Sequence, residues 1–161
     1  MLREFPLWRV MREEGRTSPS ALLRVLDADR PPVDVAEIAR RLGVEIRHPS
    51  APGWSGAVSS EGDHAVMWIN PSDAPVRQRF TMAHELGHLM LHPLGVAYRD
   101  VQFNESPYEA QANRYAANLL MPLVMVQHYV DVVGPRTSRL AMMFGVSDAA
   151  MKIRLGKLIG A

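Results

Sequence analysis

Five consecutive residues, His84-Glu85-Leu86-Gly87-His88, carry the densest chemistry in the chain. On a helix, positions four apart share one face, about one turn from each other. Two imidazoles so placed can point at a single metal ion. Histidine suits the task because a ligand must offer a lone pair at neutral pH. Glu85 adjoins the first imidazole and can take a proton from a water activated by the metal. A purely structural zinc has no use for such a base, so Glu85 points to hydrolysis. The sequence contains no cysteine. Any metal must therefore be held by nitrogen and oxygen, and a nitrogen-rich set favours zinc, Zn2+.

A catalytic zinc takes three protein ligands and keeps a fourth position open. Three residues are candidates for the third ligand: His92, Glu105 and Glu109. His92 continues the histidine face but lies about 12 Å beyond His84 along a straight helix. Ligating atoms around one zinc are only about 3–4 Å apart. His92 therefore reads as a helix-end residue that meets terminal carbonyls or a neighbour. Glu105 falls in a loop. Glu109 opens Glu109-Ala110-Gln111-Ala112-Asn113 on a helix whose alanines allow close approach. Asn113, one turn on, can hydrogen-bond a liganding histidine. Glu109 is the favoured third ligand, against the ordinary fate of a solvated carboxylate at a helix start. The glycine turn and third histidine of the metzincin pattern are absent.

These groups need elements to hold them. Residues 76–91 have a helical apolar stripe through Phe80, Ala83, Leu86, Gly87 and Met90, ended by His92-Pro93. Residues 108–120 are helical again, and 123–133 form a further helix closed by Gly134-Pro135. Two short helices follow around Gly145. Upstream, Ser18-Pro19 and Asp34 read as helix starts, and Gly43 as a helix end. Residues 44–48, 55–60 and 64–70 read as strands, the last two joined through Glu61-Gly62-Asp63 as a hairpin. The expected fold is α+β: a small, mainly antiparallel sheet packed against a helical bundle that carries the active helix, zincin-like. Residues 1–18 read as an N-terminal arm, 19–135 as the zincin-like domain, and 136–161 as a helical segment packed on the core.

The bulk composition agrees. A chain of 161 residues, 47% apolar and 22% charged, suits one compact domain with small appendages. Its net charge of +1 gives no global field for nucleic acid. The N-terminus is too charged for a signal-peptide core, and no apolar run approaches the roughly 20 residues of a bilayer span. With no cysteine, the expected location is cytoplasmic.

Two long stretches resemble a known family. Residues 79–92, from Arg79-Phe80-Thr81 through the His-Glu-Leu-Gly-His motif to Leu91-His92, look like the active helix of the ImmA/IrrE metallopeptidases, a gluzincin-like group. Residues 109–122, ending Leu120-Met121-Pro122, look like that family's second signature. Pro32-Val33-Asp34, Ile38-Ala39 and Leu42-Gly43-Val44 match its N-terminal pattern. Tyr115 stands where phenylalanine is common. The resemblance implies zinc ligands at His84, His88 and Glu109, with Glu85 catalytic. It also implies a substrate, a helix-turn-helix transcriptional repressor of a mobile element or stress regulon. IrrE-type members carry an additional C-terminal sensor domain, which is not expected in a chain ending at Ala161.

The expected activity is endopeptidase hydrolysis, with a substrate strand added beside residues 55–60 or 64–70. Tyr98, Tyr108 and Tyr115 are the candidate donors to the oxyanion, each also readable as a packing aromatic. A rival reading sits at the C-terminus. Residues 140–154 resemble a helix-turn-helix, and Lys152 and Arg154, with Lys157 just beyond, would meet phosphates. A helical pair packed on the core is favoured there, because no clear polar reading face is left. The alternatives to a protease are thus a DNA-binding regulator and a toxin-antitoxin-type interaction module, each retaining a metal site.

Overall fold

The computed structural model describes residues 4–50, 53–95, 98–99 and 106–159. Helices dominate, and local signals start and stop several of them. Ser18 caps α2 (Pro19–Val25) by accepting from the Ala21 amide at 3.1 Å. Asp34 caps α3 (Val35–Arg41) in the same way through Glu37. Gly43, at φ 84°, lets the chain turn out of α3 into β1 (Val44–Arg47). Ahead of them, α1 (Leu7–Glu13) lies against the rest of the chain and buries Trp8 and Met11 completely.

β2 (Gly56–Glu61) and β3 (His64–Ile69) form the expected hairpin, closed with Gly62 at φ 58°. The sheet order is β1-β3-β2-β4, where β4 is the two-residue strand Tyr98–Arg99. Two of its three pairings, β2 with β3 and β2 with β4, are antiparallel. The third is parallel: β3 inserts between β1 and β2, so β1 and β3 run the same way. This placement changes the strand-addition expectation. Residues 64–69 are internal to the sheet, and β4 already covers the β2 edge at Ala57 and Val58.

α4 (Pro75–Leu91) packs across β2 and β3 on one side and α5 (Pro107–Leu120) on another. Its sequence shows a one-sided apolar stripe, yet every residue from Thr81 to Met90 is buried. α1 and α3 close its remaining faces. The core therefore surrounds α4, and Leu86 and Met90 share it with Ile38, Met67, Leu119 and Leu120. Beyond α5 come α6 (Leu123–Val133), α7 (Thr137–Phe144) and α8 (Asp148–Ile159). α7 and α8 form a hairpin turned by Gly145 at φ 66°, and bury Leu140, Phe144, Met151 and Leu155. Arg79 of α4 fastens this pair. Its guanidinium donates to the carbonyls of Phe144 and Gly145 and also to that of Val33. No single helix among the described residues is long and apolar enough to cross a membrane.

Candidate metal centre

Three side chains from two helices converge at the middle of α4. His84 and His88 lie one turn apart, ring centroids 4.8 Å from each other. Glu109 reaches them from the first turn of α5. That helix starts at Ser106, whose hydroxyl accepts from the Glu109 amide at 3.3 Å, with Pro107 next in line. The sequence carried this signal, Ser106-Pro107-Tyr108-Glu109, as the S-x-x-E pattern of a helix start. Here the glutamate does not turn back to its own cap. It faces the imidazoles instead.

The two helices run antiparallel: His92 meets Tyr108 at one level and His84 meets Asn113 at the next. Such close contact needs a small residue at the crossing. A Cβ at Gly87 would stand 3.3 Å from the Ala112 Cα. A similar constraint acts on the sheet side. A Cβ at Gly56 would fall 2.3 Å from Thr81 Cγ2 and 3.5 Å from Glu85 Oε1. Glycine thus lets β2 run directly against α4, beside Glu85, which is fully buried.

The geometry is compact. Nε2 of His84 lies 2.9 Å from Glu109 Oε2, and Nε2 of His88 lies 2.9 Å from Glu109 Oε1. The two Nε2 atoms are 3.1 Å apart. All three residues are buried. Ligands of a tetrahedral zinc, at bonds near 2 Å, stand roughly 3.3 Å from one another. The observed spacings need only a few tenths of an ångström of opening.

Hydrogen bonds behind the imidazoles fix their tautomers. His84 Nδ1 donates to Asn113 Oδ1 at 2.8 Å. His88 Nδ1 donates to His92 Nδ1 at 2.8 Å, and His92 in turn donates from Nε2 to Gln111 Oε1 at 2.7 Å. Both inner nitrogens are thereby left with lone pairs. Burial lowers the His88 pKa to about 4, helped by the neighbouring His84, so its ring is neutral at physiological pH. Burial alone would raise the Glu109 carboxyl. The two imidazoles set beside it, His84 foremost, outweigh that and hold it below its usual value. Two lone pairs and a carboxylate now face one another with only acceptors presented. Such a buried set suits a cation, and nitrogen–oxygen donors of this kind fit a metal ion.

Among the residues singled out from sequence, His84, His88 and Glu109 come together as a group able to hold a metal. Asn113 stands behind His84 as anticipated. His92 is no member of the trio; it meets a neighbour, His88, and supports it. Gln111, at the end of that chain of contacts, was not anticipated as a participant. Glu105 and the side chain of Tyr98 lie outside the described residues. Tyr115 is buried and donates its hydroxyl to the Thr17 carbonyl at 2.7 Å, which removes it from the oxyanion candidates. Tyr108 stacks on His92 at 4.4 Å between centroids. Arg154, offered for phosphate contact, is buried and bonded to Asn118.

Residues 39–156 match the family described as the IrrE N-terminal-like domain. The chain belongs to the ImmA/IrrE metallopeptidase family. The radiation response metalloprotease IrrE of Deinococcus radiodurans is 36% identical over 97 residues, 55% of this chain and 29% of that protein. Its namesake from Deinococcus deserti is 32% identical over 94 residues, 55% of this chain and 34% of that protein. The chain thus spans about a third of the length of the curated relatives it matches. The family match covers both the histidine helix and the Glu109 helix.

Proposed function

We propose that the chain is a zinc-dependent endopeptidase that hydrolyses a peptide bond in a protein substrate. The observation carrying this reading is the buried convergence of His84, His88 and Glu109, with Glu85 on the adjoining face of the same helix. In this reading the three converging residues are the zinc ligands and Glu85 is the catalytic residue. A zinc ion held there supplies Lewis acidity toward a carbonyl oxygen and toward water. Glu85 accepts the proton of the attacking water and returns it to the leaving amine. Asn113, His92 and Gln111 keep the two imidazoles oriented with their inner nitrogens unprotonated. Gly56, lacking a Cβ, lets β2 run close beside the Glu85 carboxylate.

The substrate in this reading is a helix-turn-helix transcriptional repressor, as the family resemblance implies, and the site of action is the cytoplasm. The relatives named as radiation response metalloproteases support a regulatory protease. The competing DNA-binding reading of α7 and α8 has less support, because Arg154 faces the core and the pair is packed against the rest of the chain.

The test is co-incubation with a repressor encoded beside this protein, with and without chelator, followed by mass measurement of fragments. Chelator-sensitive cleavage at one bond is expected. Glu85→Gln should retain zinc and lose cleavage. A fully active Glu85→Gln variant would refute the proton-transfer role.

A further inference from the structure

A groove of about 710 Å³ opens beside the metal centre, and neither the ligands nor Glu85 accounts for it. His84, Glu109 and Asn113 border it. From there it follows α4 toward its N-terminus, over Phe80, and α5 toward its C-terminus, over Ala117 and Met121. The α7–α8 turn and α8 form the opposite wall, through Val146 from the turn and Ala150 and Ile153 from the helix. The volume falls in the range of a ligand site and exceeds what one side chain fills. Ile153 contributes an apolar side chain that is 67% exposed, on a helix whose other face is in the core.

The charge around this groove has one sign. Arg77, Arg114 and Lys157 line it, and its one carboxylate is Glu109, already turned to the imidazoles. Elsewhere on the surface, arginines 9, 16, 40, 41 and 47 are ion-paired to nearby carboxylates. Arg114 and Lys157 are exposed and have no hydrogen-bond or ion-pair partner among the described residues. Arg114 follows Glu109 by five residues on α5, about 7.5 Å along the axis. Arg77 precedes His84 by seven residues on α4, about 10.5 Å. An extended peptide advances about 3.3 Å per residue. Arg114 and Arg77 therefore stand two to three residues from a bond held at the metal centre.

We propose that this groove, with its wall supplied by α8, is a specificity subsite for a peptide segment that places a large apolar side chain against Phe80 and Met121 and an acidic side chain beside Arg114 and Lys157. The proposal rests on the peptidase reading for its direction along the chain, and α8 thereby becomes part of the substrate site rather than a DNA reader. Apolar contact supplies affinity, while the two cations select sign and position.

Two measurements separate this inference from the peptidase reading. The first is binding without turnover, using zinc-loaded Glu85→Gln and labelled peptide pools of a common apolar centre flanked by Asp, Asn or Lys. The Asp pool should bind most tightly and weaken as salt rises. The double variant Arg114→Glu with Lys157→Glu, checked for unchanged zinc content and melting temperature, should lose about tenfold or more for the Asp pool and gain for the Lys pool. The second is fragment analysis after the zinc-loaded wild type digests a mixed peptide library. Asp or Glu should be enriched two to three residues from the cut. Equal binding of the Asp, Asn and Lys pools, or cleavage without acidic enrichment, overturns the subsite and leaves the peptidase reading standing. Charge-dependent binding with no cleavage keeps the subsite and removes the peptidase.

Discussion

Gly87 sits against Tyr115 with no room for a methyl group between them: a Cβ on residue 87 would lie 2.9 Å from the Tyr115 Cβ. This contact sets the distance between α4, which bears both imidazoles, and α5, which bears the carboxylate. Gly87→Ala should gain up to about 1 kcal/mol in helix propensity. It should lose about 1–3 kcal/mol to overpacking. The net expectation is a less stable protein in which α5 is pushed away, with zinc affinity reduced in parallel. Zinc titration by calorimetry tests it, and unaltered affinity in a folded Gly87→Ala protein would contradict this role of the crossing.

The outer nitrogens of the two imidazoles offer a second test. His84 is held by Asn113 directly, and His88 is held by Gln111 through His92. Removing a partner of this kind typically costs about 10–100-fold in metal affinity. Asn113→Ala and Gln111→Ala should each weaken zinc binding within that range while the fold persists. Competition against a chromophoric chelator reads the change. If Gln111→Ala binds zinc as the wild type does, the chain of contacts through His92 has no bearing on the site.

Legibility from sequence followed the range of the interactions. The histidine pair was readable because helical periodicity alone places residues 84 and 88 on one face. Glu109 followed from small residues and an apolar period on the next helix. The support given by Gln111 depends on the level at which two antiparallel helices cross, which no local pattern states. β4 leaves no signal in the sequence, because two residues carry no periodicity. The parallel β1–β3 pairing was likewise hidden, since it depends on β3 entering between β1 and β2. Gly56 looked like an ordinary strand residue. Its close approach to Thr81 and Glu85 emerges only when the sheet meets α4.

Arg79 is a half-buried cation whose three partners are backbone carbonyls. Desolvation lowers its pKa, with the charge of Asp34 acting the other way. It ties α4 to the α7–α8 hairpin and to Val33. Arg79→Ala should destabilise the protein by about 2–4 kcal/mol, because hydrogen bonds from a charged donor are strong but not additive. Arg79→Lys should recover only part of that, since a single ammonium cannot reproduce the planar fork. Urea denaturation of the two variants checks the order. A lysine variant as stable as the wild type would mean that charge alone suffices.

Tyr115 gives a pH signature. Burial raises its pKa well above the usual 10, while its hydroxyl stays bonded to Thr17. The unfolded chain loses this proton as pH rises past about 10, and the folded chain keeps it. The folded state then binds more protons than the unfolded one, so stability must fall with rising pH in that window. Below pH 10 the contribution is fully present. Tyr115→Phe should be less stable at neutral pH by about 1 kcal/mol for the lost hydrogen bond. Its alkaline loss should be shallower. Parallel alkaline curves for the two proteins would refute the assignment.

Zinc should stabilise the fold through the same three residues that converge on α4 and α5. Without a cation, two imidazole lone pairs and a carboxylate face one another in a buried space. An ion that binds the folded state alone adds about 2.7 kcal/mol at a concentration a hundred times its Kd. For a domain of this size that corresponds to a rise of roughly 5–11 °C in Tm. Chelator should abolish the rise, and His84→Ala or Glu109→Ala should remove most of it. Glu85→Gln should keep it, because Glu85 lies outside the converging trio. A Tm shift that survives in His84→Ala and Glu109→Ala would place the ion elsewhere on the protein.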